Sequence, residues 1–114
     1  MNVQAVFCDI DGTLLNDEHE MTSSTKLAIQ NLQNKNIRFV LVSGRSPPGI
    51  YSVIHSNSFK FPIISFNGAI VLDENKKILF QKGMTHQMAS EIINYIQENN
   101  FDLVWNVFSF NDWI

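Results

Sequence analysis

The stretch Val3-Gln4-Ala5-Val6-Phe7-Cys8-Asp9-Ile10-Asp11-Gly12-Thr13-Leu14-Leu15 decides how this chain reads. Val3 to Ile10 is a nearly continuous apolar run ending in an acid, the pattern of a strand buried on both faces. Asp11-Gly12-Thr13 interrupts it with turn-forming residues. A polar loop follows from Asn16 to Glu20. Thr22 or Ser23 then caps a helix predicted to reach about Asn34, with Leu27, Ala28, Asn31 and Leu32 as its inward face. Asn36 suits a left-handed terminator. A second buried strand, Ile37 to Val42, ends at Ser43-Gly44-Arg45. Pro47 and Pro48 fit the first turn of a short helix carried by Ile50, Val53 and Ile54. Pro62 opens a third strand, Ile63 to Phe66, which stops at Asn67-Gly68.

The period changes after that point. Ala69 to Leu72 and Lys77 to Gln81 are short runs separated by Asp-Glu-Asn-Lys, which reads as an antiparallel hairpin. Thr85 caps a helix predicted to reach about Asn99, with Met88, Ile92 and Ile96 four apart and Ala89 and Ile93 widening the face. Phe101 to Phe110 reads as a strand, and Phe101, Trp105, Phe108, Phe110 and Trp113 either line a substrate-facing surface or, the reading preferred, form the packed core of a second module. The order β-α-β-α-β, hairpin, helix, strand defines an α/β fold, with the first 68 residues forming a doubly wound parallel sheet. The divisions expected are residues 1–81, including the hairpin, and residues 82–114, the opening of the second module. Asn111-Asp112-Trp113-Ile114 carries no capping signal or polar tail. It reads as an interruption, or else Trp113 and Ile114 pack onto their own domain.

Composition narrows the function. Of 114 residues, 45% are hydrophobic and 17% charged, which supports a core and excludes wholesale disorder. A net charge of −3 leaves no stripe to neutralise phosphates, so a nucleic-acid partner is not expected. No apolar run approaches the roughly 20 residues of a membrane span. No positive region precedes an apolar stretch, so no signal peptide is read. The single cysteine, Cys8, cannot form an intrachain disulfide, and a reducing, cytoplasmic setting is expected. Within a strand, Cys8 reads as core and not as a nucleophile. His19, His55 and His86 lack zinc-ligand spacing. Neither GxxxxGK[ST] nor GxGxxG after the first strand occurs, which disfavours P-loop and dinucleotide-binding chemistry.

Polar residues collect at three strand ends: Asp9 with Asp11 and Thr13, Ser43 with Arg45, and Asn67. Open parallel sheets bind ligands at the carboxyl ends of their strands. Two neighbouring carboxylates repel, and a hard divalent cation such as Mg²⁺ offsets that repulsion. Gly12 gives a tight turn and lets backbone N–H groups approach an anion. Thr13 adds a hydroxyl, and the set suits phosphoryl chemistry. An ordinary Asp-Gly turn uses the same residues. Ser43 and the N–H groups around Gly44 can hold phosphate oxygens near a helix start; alternatively Ser43 caps that helix and Arg45 is solvated. Arg45 either reaches substrate or neutralises the acids. Asn67-Gly68 either touches substrate or only turns the chain between two strands.

Asp9-Ile10-Asp11-Gly12-Thr13-Leu14-Leu15 resembles the DxDGT(L/V) first motif of the haloacid dehalogenase-like hydrolases. Val42-Ser43-Gly44-Arg45 resembles their second motif, as found in the Cof-type branch of sugar-phosphate phosphatases. Ser65-Phe66-Asn67-Gly68-Ala69 is similar to a segment that this branch places after its third strand, and Lys82 onward resembles the start of its inserted α/β cap. The resemblance implies an incomplete Rossmann-like core over residues 1–81 and the beginning of the cap over residues 82–114. It also implies Mg²⁺-dependent hydrolysis of a small phosphorylated metabolite. Asp9 would be the nucleophile and Asp11 the general acid and base. Asp9 and the Asp11 backbone carbonyl would hold Mg²⁺. Ser43 and the Gly12 N–H would bind the phosphoryl group, and Arg45 and Asn67 match positions near the substrate.

The family's third motif, with its Lys, and a fourth resembling GDxxND lie downstream of the cap, and neither occurs here. Lys76, Lys77 and Lys82 come too early. The expectation is therefore the N-terminal portion of such an enzyme. The family places its first strand centrally, so Val3 to Ile10 would become an exposed apolar edge. Such an edge would pair with a second copy or a complementing C-terminal chain. The competing reading is a catalytically inactive α/β fragment that acts as a binding or interaction module. A receiver-like phosphoacceptor fits poorly, because a receiver takes phosphate on a later strand.

Overall fold

The computed structural model describes residues 2–55, 58–109 and, by backbone alone, 112–113. Two compact units divide the chain, Met1–Gln81 and Lys82–Ile114. The first unit is a five-stranded sheet in the order β1 (Ala5–Asp9), β2 (Arg38–Val42), β3 (Ile63–Ser65), β4 (Ile70–Leu72) and β5 (Ile78–Gln81). The pairs β1–β2 and β2–β3 are parallel, linked by helices α1 (Ser23–Asn34) and α2 (Pro47–Ile54). The β3–β4 and β4–β5 pairs are antiparallel, with an irregularity at Val71/Leu72. The result is an α/β fold with a mixed sheet flanked by helices.

Local chemistry explains the element boundaries. The Thr22 side chain accepts from the Thr25 N–H and starts α1, and Asn36 ends the segment at φ 56°. Ser46, not Ser43, caps α2: its hydroxyl accepts from the Gly49 N–H, with Pro47 and Pro48 in the first turn. In the β4–β5 turn the Asp73 carboxylate accepts from the N–H groups of Asn75 and Lys77.

Two expectations for this unit need correction. The inward face of α1 is out of phase: Leu27 is exposed, as are Ala28 and Asn31, while Ile29 is buried. Thr25, Ile29 and Leu32, spaced by four and three residues, form the stripe that turns inward. Strand β1 is shorter than the run Val3–Ile10, and it is not covered on both faces. It lies at the sheet edge, pairs with β2, and leaves Phe7 64% exposed. The edge position is the one expected from the family resemblance; burial on both faces is the part that fails. The fully buried residues include Ile10, Leu41, Ile50 and Ile63, with Phe39 and Phe61 in ring contact at 5.3 Å.

The second unit contains α3 (His86–Glu98), capped by the Thr85 side chain, and a short antiparallel pair, β6 (Phe108–Ser109) with β7 (Asp112–Trp113). Phe101 to Val107 is not a strand. A lone apolar run has no ladder to complete, and the pairing that forms is the two-residue one near the end. The described members of the aromatic set do not form a packed core either. Phe101, Trp105 and Phe108 are exposed, with Tyr95 and Phe101 touching at 5.9 Å between rings. On α3, Ala89, Ile93 and Ile96 are half-buried, whereas Met88 and Ile92 are exposed. Phe110, Asn111, Ile114 and the Trp113 side chain lie outside the described residues.

The phase of α1 can be checked directly. Ile29→Ala should lower the stability of the chain by about 2–4 kcal/mol, and Leu27→Ala by no more than about 0.5 kcal/mol. Urea unfolding of both variants measures the difference, and equal losses would restore the original face.

Candidate active site

The parallel register brings the three polar strand ends to one level. Asp9 pairs with Val42, and Val42 with Ile64, so the loops after β1, β2 and β3 leave the same edge of the sheet. After β1 the chain makes a tight turn over Ile10–Leu14, closed by the Leu15 N–H donating to the Ile10 carbonyl at 3.2 Å. Gly12 sits in it at φ 73°, a conformation that a side chain would strain. Ile10 and Leu14 are buried under the turn, while Asp9, Asp11, Gly12 and Thr13 are exposed. Apolar anchors therefore hold a polar loop outward.

The second loop is tied from three directions. The Ser43 N–H donates to the Ile64 carbonyl at 2.9 Å, and the Ser43 hydroxyl accepts from the Arg45 N–H at 3.1 Å. The Arg45 carbonyl accepts from the Ser65 hydroxyl at 2.7 Å and from the Phe66 N–H at 3.1 Å. The Asn67 N–H donates to the Ser43 carbonyl at 3.1 Å. A Cβ on residue 44 would lie 3.2 Å from Asn67 Oδ1, so Gly44 permits this close approach. Phe66, Asn67 and Gly68 all have positive φ, at 48°, 54° and 102°. Two of these three are not glycine, and such strained backbone persists where its surroundings over-determine it.

Arg45 connects the second loop to the first. Its Nε donates to Asp11 Oδ2 at 2.9 Å and its Nη2 to Asp11 Oδ1 at 2.6 Å. This is the two-pronged geometry of a guanidinium on a carboxylate. The hydrogen bonds from Arg45 hold the Asp11 carboxyl below the usual aspartate range. Desolvation opposes that lowering, and the charges of Arg45 and His19 add to it. The same bonds push the Arg45 guanidinium up. Burial, then Asp9, pushes the Cys8 thiol up, which argues against a thiolate nucleophile there.

Sequence reasoning had named Asp9, Asp11, Gly12, Thr13, Ser43, Gly44, Arg45, Asn67 and Gly68. The register places them at one sheet edge, and hydrogen bonds link Asp11, Ser43, Arg45 and Asn67. Of the two roles open to Arg45, the one observed is neutralising an acid. Sequence reasoning assigned no role to Ser65. It is fully buried, and a buried hydroxyl inside Ile63-Ile64-Ser65 needs a partner; that need was the available signal. A cavity of about 450 Å³ lined by Asn2 to Ala5 and Lys35 to Arg38 lies at the opposite ends of the strands, away from these carboxylates.

Among the described residues, no group of three or more His, Cys, Asp or Glu side chains converges as a metal site. Asp9 and Asp11 supply hard oxygen donors, and Mg²⁺ is commonly held by one or two carboxylates together with water and substrate phosphate.

Open parallel sheets bind ligands at the carboxyl ends of their strands, where these loops lie. Comparison with known proteins agrees: the haloacid dehalogenase-like hydrolase family matches residues 6–114, and the chain belongs to that family. Phosphatase YwpJ of Bacillus subtilis is 25% identical over 99 residues, covering 87% of this chain and 35% of that protein. The crystal structure of TM0651 from Thermotoga maritima superposes with a TM-score of 0.82 at 26% identity, over 98% of this chain and 41% of that one. A haloacid dehalogenase-like hydrolase from B. subtilis gives a TM-score of 0.78 at 26% identity, over 86% and 34%. The chain thus spans well under half the length of the relatives it matches.

The ion pair has a pH signature. A carboxyl whose folded value is depressed stabilises the fold above its unfolded value and loses that contribution as pH falls through the folded one. Arg45→Gln should therefore be less stable than the native chain near neutral pH. The gap should close from about pH 4 downward. Urea unfolding across that range measures it, and a gap independent of pH would contradict the pairing.

Proposed function

We propose that this chain carries the nucleophile-bearing part of a Mg²⁺-dependent phosphomonoesterase of the Cof-type branch. In this reading residues 1–81 are the N-terminal part of the hydrolase core, with the hairpin, and residues 82–114 begin the inserted α/β cap. The observation that carries it is the levelling of Asp9, Ser43 and Asn67 at one sheet edge, with Arg45 joining the second loop to Asp11. The naming of the B. subtilis relative as a phosphatase supports it.

The Asp9 carboxylate attacks phosphorus, an acyl-phosphate bond forms, and the bond to the leaving oxygen breaks. Asp11, ionised while it is paired with Arg45, takes a proton from water once the guanidinium leaves it and gives that proton to the departing oxygen. It then takes a proton from a water that attacks phosphorus, which releases phosphate and restores Asp9. The Gly12 N–H and the Ser43 hydroxyl hold the non-bridging oxygens where negative charge develops. Thr13, Gly44, Arg45, Asn67 and Gly68 line the phosphate and substrate side. Mg²⁺, when bound by Asp9 and the Asp11 carbonyl, supplies charge neutralisation between carboxylate and phosphate. The substrate class is a small phosphorylated metabolite, in a cytoplasmic setting. None of the described helices is long and apolar enough to cross a membrane.

Phosphate release from a generic aryl phosphate tests this reading, with the native chain run beside Asp9→Asn. Release that requires Mg²⁺ and falls at least about 10²-fold in the variant is expected. Equal background in both would mean that the chain carries the nucleophile without the rest of its catalytic shell, and would favour the inactive module described next.

A second reading has its own observation. The β1 edge is open among the described residues, and Phe7 stands exposed beside it. An unpaired edge with an apolar side chain templates strand addition. On this reading the chain is a catalytically inactive module that pairs through β1 with a second copy or with a complementing C-terminal chain. Light scattering over a concentration series should show the mass of the native chain rising, whereas Phe7→Lys stays monomeric. A native chain that is monomeric throughout would remove self-pairing.

A further inference from the structure

We propose that Arg45 is a two-position residue: paired with Asp11 while the site is empty, it transfers its guanidinium to the phosphate dianion of an arriving substrate and so releases Asp11. This inference rests on the phosphoryl-transfer reading above and adds the event that couples substrate arrival to the freeing of the acid–base group.

The backbone of Arg45 is tied on both sides, whereas its side chain is held by Asp11 alone among the hydrogen bonds observed. Its N–H donates to Ser43 Oγ, and its carbonyl accepts from Ser65 and Phe66. A movement of Arg45 is therefore confined to the side chain. The ion pair itself lies toward solvent, with 37% of the Arg45 side chain and 50% of the Asp11 side chain exposed. Exposed pairs are weak and exchange readily. The two-pronged face that Arg45 presents to the carboxylate is the face that matches phosphate oxygens. A dianion entering beside Asp9 and Asp11 meets two carboxylates, and a mobile cation two residues from Ser43 offsets that repulsion. A fixed pair would leave the dianion facing Asp9 without it, and would keep both Asp11 oxygens occupied during the reaction.

The chain contains two arginines, Arg38 and Arg45, so a ¹⁵N-labelled sample gives two side-chain Nε–H resonances. The full chain is titrated with inorganic phosphate in magnesium chloride, and binding is followed at the Gly12 and Ser43 amides. The Arg45 resonance should move along the same isotherm while that of Arg38 stays in place. Asp11→Asn should shift the Arg45 resonance without phosphate. Arg45→Gln should weaken phosphate binding about tenfold or more, and Arg45→Lys, which keeps the charge but not the fork, should fall between. Phosphate that binds while the Arg45 resonance stays at its ion-paired position overturns the two-position assignment alone. So does equal affinity in Arg45→Gln. Absence of any phosphate binding in the native chain overturns the phosphoryl-site reading and this inference with it.

Discussion

Arg45 is bonded at both ends, and the geometry of the candidate site follows from that. Its carbonyl is held by the buried Ser65 hydroxyl and the Phe66 N–H, and its guanidinium grips Asp11. One residue therefore ties together the loops that follow β1, β2 and β3. The parallel register makes this possible: with Asp9 level with Val42 and Val42 level with Ile64, a side chain of arginine length reaches from the second loop to the first. Gly12 and Gly44 serve the same arrangement. The first permits the left-handed turn beside Asp11, and the second lets the Asn67 amide lie against the loop.

The ion pair organises the site without being a large source of stability. Stability comes from the apolar layer beneath, where Leu41, Ile63, Ile50 and Ile10 exclude water. An exposed pair of this kind contributes about 0.2–1 kcal/mol. It orients a carboxylate and sets its charge while remaining free to exchange partners. The core, the strand ends and the loops thus divide the work: burial fixes the frame, backbone hydrogen bonds fix the loops, and the mobile charge stays at the surface.

Much of this was legible in the residues. Apolar runs of strand length located β1, β2 and β3, and Thr22, Thr85 and Pro47 marked helix starts, because capping and proline chemistry is local. Clusters at strand ends disclosed the site residues. Features that depend on distant neighbours were not legible. The apolar run around Phe7 suggested cover on both faces, and only the family resemblance pointed to the open edge that β1 has. The phase of α1 depends on which stripe meets the sheet, and Ile29 decides it over Leu27. Ser65 looks like a break in an apolar strand until its hydroxyl is seen on the Arg45 carbonyl. Phe101 to Val107 has strand-forming composition, but a ladder needs a partner, and among the described residues of this run only Phe108–Ser109 finds one, in Asp112–Trp113.

The central claim is that these three strand ends form a phosphoryl-transfer site with Asp9 as its nucleophile. The most direct measurement is acid-quenched peptide mass spectrometry after incubation with a small acyl phosphate donor and magnesium chloride. The account predicts one phosphoryl group, on the peptide carrying Asp9, lost on treatment with hydroxylamine and absent in Asp9→Asn. A phosphoryl group on Ser43, or none on any peptide, would contradict it.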